Sequence, residues 1–160
     1  MSGTGHTVKS YEEEMQSLND NLVMMGSLTE SQMADAMSAV IKVDKESVDK
    51  IVKSDGKINE LRSIIDNQIT TVLVKRAPMA VDLRITISTM KISHDLERIG
   101  DLAKSVAKKV KPLPVDLPDE LTASLRRLGD LVQKQLKDVL DAYLNKSCLL
   151  YTSPSPRDRS

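Results

Sequence analysis

The sequence holds no tryptophan and no phenylalanine, and only three tyrosines among 160 residues. A core without large rings must be built from aliphatic side chains. Leu, Ile, Val and eight Met supply them, a mix that suits long helices packed side by side. A single cysteine, Cys148, excludes an internal disulfide framework. Charge imbalance is missing too: 23 Lys and Arg stand against 23 Asp and Glu. No basic excess draws in nucleic acid, and no long block of like charge suggests a tail. No apolar run approaches the roughly 18 residues that suggest a membrane span. The opening MSGTGHTVKSYEEEMQ lacks the apolar centre of a secretory signal. A cytoplasmic protein of one domain, or one and a half small ones, is the expectation.

What is present is helical periodicity. Val8, Tyr11, Met15, Leu18, Leu22, Met25, Ala36, Ala39 and Val43 recur in steps of three and four, the stripe of a first helix over 8–43. Asp44 can cap a second helix, with Glu46 and Asp49 in its first turns. That helix aligns Val48, Ile51, Ile58, Leu61, Ile65, Ile69 and Val72. It ends at KRAP, because Pro78 disfavours helix at Ala77 and is well placed to open a third. The third runs from Met79 to Val110, with a main stripe of Ile85, Ile92, Leu96, Ile99, Ala103, Val106 and Val110. KPLPVDLPDE then interrupts the pattern with three prolines. A fourth helix follows, with Leu121, Leu125, Leu128, Val132, Val139 and Ala142 in line.

These are long helices, about 30 residues against a mean near 11–12, and short connections make sequential neighbours antiparallel. The expected fold is all-α: an elongated three-helix bundle over residues 8–110, a Pro-rich linker over 111–118, and an extra helix over 119–146 that starts a second bundle. The closing CLLYTSPSPRDRS has no helical period, and its first part, Cys148 to Asp158, resembles a translated transposon-type sequencing adapter. Residues 148–160 are therefore expected to be foreign, with the natural sequence running out near Lys146 or Ser147; an ordinary Ser/Pro tail is the alternative.

The third helix carries Glu97 and Asp101 four residues apart, stacked on one face roughly opposite its main stripe. Leu83, Ile87, Met90 and His94 share that side, so the face is apolar first and acidic a turn or two later. Charged helix faces are usually just solvated, with Asp101–Lys104 and Asp95–Arg98 as local pairs. Two carboxylates on a rigid helix can equally hold a cation, given further ligands from a neighbouring helix. His94, one turn before Glu97, and Asp55 on the second helix are additional candidates beside the metal. Asp55 and Arg62 fall inside the second helix's apolar stripe, which is unusual for charge; edge positions that snorkel account for each.

KRAPMAVDLR followed by KISHDLERIGDLAKSVAK resembles the paired signature of the PhoU family, and HTVKSYEEEMQSLNDNLVMMG resembles that family's first helix. The resemblance covers Ser2 to Asn145 and implies two tandem three-helix bundles, of which this sequence carries the first and one helix of the second. It implies a non-enzymatic regulator of phosphate uptake and phosphate-starvation signalling. Such proteins are cytoplasmic, often homodimeric, and peripheral at the inner membrane. Their implied partners are a phosphate ABC transporter and a sensor histidine kinase. It implies metal clusters, iron or zinc among them, on acid-x-x-x-Asp motifs, which places Glu97 and Asp101 as metal ligands and Asp66 as a further one. Arg76, Pro78, Asp82 and Arg84 meet the family's helix-junction motif. The sequence departs from the pattern at RSIID, where Arg62 stands in place of an acid and only Asp66 is kept. A cation already built in there weakens metal binding.

Other readings stay open at this stage. The same fold would serve as an accessory subunit of another phosphate transporter, or as a metal-free structural bundle. A di-metal bundle enzyme needs Glu-x-x-His pairs, and the sequence has none.

Overall fold

A computed structural model describes residues 3–152, with side chains from 8 to 145. Four helices make up the described residues: α1 (Gly3–Lys42), α2 (Ser47–Arg76), α3 (Ala80–Lys108) and α4 (Asp119–Thr152). The first three all pack against one another, and α4 lies along α1. The backbone of α4 stays helical through Thr152, past Cys148, where the sequence has no helical period. The rest of the expected foreign tail lies outside the described residues.

Each turn has a local cause. α1 ends with Val43 at φ 50°, while the Asp44 amide donates to the Ala39 carbonyl and the Val43 amide to that of Val40. That is the Schellman pattern, which satisfies the last carbonyls of a helix. Asp44 then turns to the next helix, as its position suggests: its Oδ1 accepts from the amides of Glu46 and Ser47. Hydrogen bonds from the Ser47 hydroxyl and amide hold the Asp44 carboxyl below its usual range. α2 stops at Ala77, left-handed at φ 41°, immediately before Pro78.

The core falls into two clusters. One gathers Leu18, Leu22, Met25, Ile58, Ile65, Ile69, Val72, Leu96 and Leu136; the other gathers Met33, Ala36, Ala39, Val48, Ile51, Ala103, Ala107 and Val110. On α2 the buried line is the one the periodicity marks, and on α1 it follows it except that Val8 is exposed and Thr29 and Gln32 are buried within it. On α3 it is shifted. The fully buried positions are Thr86, Thr89, Ser93, Leu96, Gly100, Ala103 and Ala107, with Ile85, Ile92, Ile99 and Val106 flanking at half burial. Small side chains let α3 approach closely, so the larger isoleucines wedge beside the contact line. The hydroxyls cost little there: those of Thr86, Thr89 and Ser93 donate to carbonyls one turn back on their own helix.

α4 also departs from its expected stripe. It faces α1 through Leu125, Gly129, Val132, Leu136, Leu140 and Tyr143, and leaves Leu121, Leu128 and Val139 exposed. Two glycines set this face. A Cβ on Gly129 would stand 2.8 Å from Met37 Cε, and one on Gly26 would stand 2.7 Å from Leu140 Cδ2. Both glycines leave room for a side chain of the facing helix, Met37 and Leu140, and counting apolar residues gives glycine no weight.

Candidate functional site

The polar residues of interest lie along the α2–α3 seam, in two groups about two helical turns apart. The deeper group lies between the core clusters. Asp55, only 3% exposed, accepts from the Gln32 side-chain amide at 3.0 Å, from that of Asn59 at 3.2 Å, and from Lys104 Nζ at 2.5 Å. Gln32 also donates to the Gly100 carbonyl at 2.9 Å, and its own oxygen accepts from the Ser54 hydroxyl. Lys104 reaches Asp101 Oδ1 at 2.6 Å as well, so one ammonium joins carboxylates from two helices. Its hydrogen bonds to Asp101 and then to Asp55 raise the Lys104 pKa above its ordinary 10.5.

Asp55 therefore does not snorkel at an edge. It is buried, and its partners come from all three helices of the bundle. Asp101–Lys104 forms the local pair expected of it, while Asp95–Arg98 forms no ion pair. Gly100 makes this a tight crossing: a Cβ there would meet Ile58 Cδ1 at 3.1 Å and Asp55 Oδ1 at 3.6 Å.

The second group is more open. Arg62 reaches the edge of the seam only with its outer nitrogens, its Nε being buried with no hydrogen-bond partner; its Nη2 lies 3.7 Å from Asp66 Oδ2 and 3.4 Å from His94 Nε2, and His94 in turn lies 3.3 Å from Asp66 Oδ1. Glu97 sits half-buried between the two groups and makes no hydrogen bond or ion pair.

The helix-junction motif divides. Arg76 forks onto Glu14, Nε to Oε2 and Nη2 to Oε1, both at 3.1 Å, and gives a further 2.8 Å bond to the Ser10 hydroxyl. That fork, with the Arg76 charge, holds the Glu14 carboxyl below its ordinary 4.5 and ties the end of α2 to the start of α1. Pro78 marks the corner. Asp82 lies in the first turn of α3, where a carboxylate suits the helix dipole. Arg84 is exposed and pairs with nothing.

These residues do not fit a metal centre as arranged. The Lys104 ammonium lies between Asp55 and Asp101, and Asp66 faces Arg62 and His94 rather than the Glu97–Asp101 pair. Among the described residues, no three His, Cys, Asp or Glu side chains converge where an ion could be held. The sequence reading missed Gln32, Ser54 and Asn59 altogether. A signal existed for Gln32: with Thr29 it continues the α1 stripe from Met25 to Ala36, at positions where polar residues are unexpected.

Residues 22–110 match the PhoU domain family. The chain is 43% identical over 141 residues to the phosphate-specific transport system accessory protein PhoU homolog of Caulobacter vibrioides, covering 88% of this chain and 61% of that protein. A homolog of the same name from Clostridium acetobutylicum is 34% identical over 142 residues, covering 88% and 65%. The chain thus spans about three-fifths of the length of the curated relatives it matches. The crystal structure of PhoU from Pseudomonas aeruginosa superposes with a TM-score of 0.76 at 34% identity, over 84% of this chain and 65% of that one. The paired blocks at the α2–α3 junction and along α3 lie inside the matched region, and this chain belongs to the PhoU family.

Proposed function

We propose that this chain is a cytoplasmic adaptor of phosphate uptake, peripheral at the inner membrane, which couples a phosphate ABC transporter to a sensor histidine kinase by contact. It damps the phosphate-starvation response and turns over no substrate. The observation that carries the reading is the relatives' role as accessory proteins of a phosphate-specific transport system. The fold suits contact. Val74, Met79 and Val81 stand 79%, 76% and 66% exposed around the α2–α3 corner, with Leu73, Leu83 and Ile87 beside them, and contiguous exposed apolar surface marks interaction sites. None of the described helices is long and apolar enough to cross a membrane. The exposed face of α4, with Leu121, Leu128, Leu131 and Val139, is the surface that a second copy covers in this reading. Light scattering at high concentration tests the dimer; a strictly monomeric species overturns that part.

The central test is to express the chain in Caulobacter vibrioides lacking its own homolog. The expected result is a phosphate-starvation reporter returned to its repressed level in phosphate-rich medium. The tagged chain should also co-precipitate the transporter's ATPase subunit and the kinase. Capture of the transporter without the kinase overturns the coupling. An unrepressed reporter with neither protein captured, while the chain accumulates, overturns the whole reading.

A further inference from the structure

The deeper polar group is arranged around a cation that belongs to the chain itself. Asp55 and Asp101 present carboxylate oxygens from adjacent helices at 2.5 and 2.6 Å from one Lys104 Nζ. Every other group on Asp55 is a donor, the amides of Gln32 and Asn59. A lysine ammonium is a compact point charge with three donors, and here two of those donors take the lone pairs that a divalent ion would need. The surroundings hold the ammonium in place: the Asp55 side chain is 5% exposed and that of Lys104 is 22%. The shallower group repeats the pattern, since Arg62 lies against Asp66 with its guanidinium 3.7 Å from the carboxylate. In both groups the positive charge beside the carboxylate is a side chain.

We propose that Lys104 is the resident cation of this bundle, its ammonium holding the position between Asp55 and Asp101 that a divalent ion would otherwise take. The unsubstituted chain then binds no ion at these two carboxylates, and removing the ammonium opens a site there. Lys104→Met keeps the length of the stem and leaves the Asp55 and Asp101 carboxylates as hard oxygen donors, a pair that with water in the remaining positions suits Mn²⁺ or Mg²⁺. Lys104→Arg keeps a positive charge and serves as the control.

The experiment is equilibrium dialysis of the purified 160-residue chain against Mn²⁺, read by elemental analysis and by thermal unfolding with and without the ion. Lys104→Met is expected to take up ~1 Mn²⁺ per chain and to unfold at a higher temperature when the ion is present. The unsubstituted chain and Lys104→Arg should show neither effect, and adding Asp101→Asn to Lys104→Met should abolish both. Stoichiometric Mn²⁺ on the unsubstituted chain that is lost in Asp101→Asn overturns the proposal. So does a folded Lys104→Met that binds none. If Lys104→Met is unfolded in metal-free buffer, refolding on addition of Mn²⁺ supports the proposal, and failure to refold overturns it.

Discussion

Replacing Asp55 by Leu leaves Lys104 with Asp101 alone and takes a partner from both Gln32 and Asn59. Breaking a buried ion pair by removing one member costs about 3–5 kcal/mol, because the survivor is left uncompensated. Lys104 retains one carboxylate and is 22% exposed, and Gln32 retains the Gly100 carbonyl. The loss should therefore fall at the low end, ~3 kcal/mol, or about 6–12 °C in Tm for a chain of this size. Lys104→Met should cost a similar ~3 kcal/mol in metal-free buffer, since it strands a carboxylate that is almost wholly buried. The double variant removes both charges. Well-packed apolar replacements of a whole buried pair are often neutral, so Asp55→Leu/Lys104→Met should unfold within about 1 kcal/mol of the parent.

The assay is urea unfolding followed by far-UV circular dichroism on all four proteins in chelator-treated buffer. The single losses sum to ~6 kcal/mol against at most ~1 for the double variant, so the non-additivity of the cycle should be ~5 kcal/mol. Strictly additive losses would refute the reasoning, because the two residues would then not act as a pair. So would a cost below about 1 kcal/mol for Asp55→Leu, the size expected of an exposed salt bridge.

Two glycines in helix interiors should respond to alanine with opposite signs. Gly56 has nothing within 4 Å of where a Cβ would stand, so Gly56→Ala should stabilise by ~0.5–1 kcal/mol. At Gly100 the same gain is outweighed by the 3.1 Å approach to Ile58, and Gly100→Ala should lose ~0.5–1 kcal/mol by overpacking; parallel urea melts read both. Ala77→Gly should stabilise by ~1 kcal/mol, relieving an exposed left-handed alanine at φ 41° without removing a packed side chain, and thermal melts should show a raised midpoint. The Glu14–Arg76 fork should show in the pH dependence of stability. The folded-state pKa of Glu14 is depressed, so its contribution is present above the ordinary value and is lost as pH falls through the folded one. The advantage of the parent over Glu14→Gln should be complete above the ordinary carboxylate range and should vanish as pH falls through the depressed folded value; an advantage that persists in strong acid would contradict the assignment.

The number of helices, their order and most of their ends could be read from the sequence because they rest on local signals. Prolines and caps mark the breaks, and the buried lines of α1 and α2 are made of large aliphatics at regular spacing. α3 and α4 were harder for one physical reason. Their closest contacts are made by Ser93, Gly100, Ala103, Ala107 and Gly129, whose value is the volume they do not occupy. A stripe drawn through the largest apolar residues lands beside such a contact line, on Ile85 and Ile92 in α3 and on Leu121 and Leu128 in α4. The site was half legible. The Asp101–Lys104 pair is local in sequence and was visible. Asn59 is a local partner of Asp55, but Gln32 and Lys104 are 23 and 49 residues away, and only the register between helices brings them to it.

That register gives the polar layer a further consequence. Gln32, Asp55, Gly100 and Lys104 stand where one hydrophobic cluster ends and the other begins. Long helices with aliphatic stripes on regular spacing could slide past one another by a turn with most apolar contacts re-formed. Such a slip would carry Asp55 away from Lys104 and place it against an aliphatic layer, at the cost of an uncompensated buried charge. The layer thus contributes less to the depth of the native state than to the gap separating it from its shifted competitors, in the way a single buried asparagine fixes the register of a coiled coil. The near-neutral double variant expected above and a strong preference for one register are compatible, because the first compares folded with unfolded and the second compares one folded arrangement with another. For the proposed adaptor, which works through its outer faces, the second comparison is the functional one: it keeps the exposed residues of the α2–α3 corner and of α4 in fixed relation to each other.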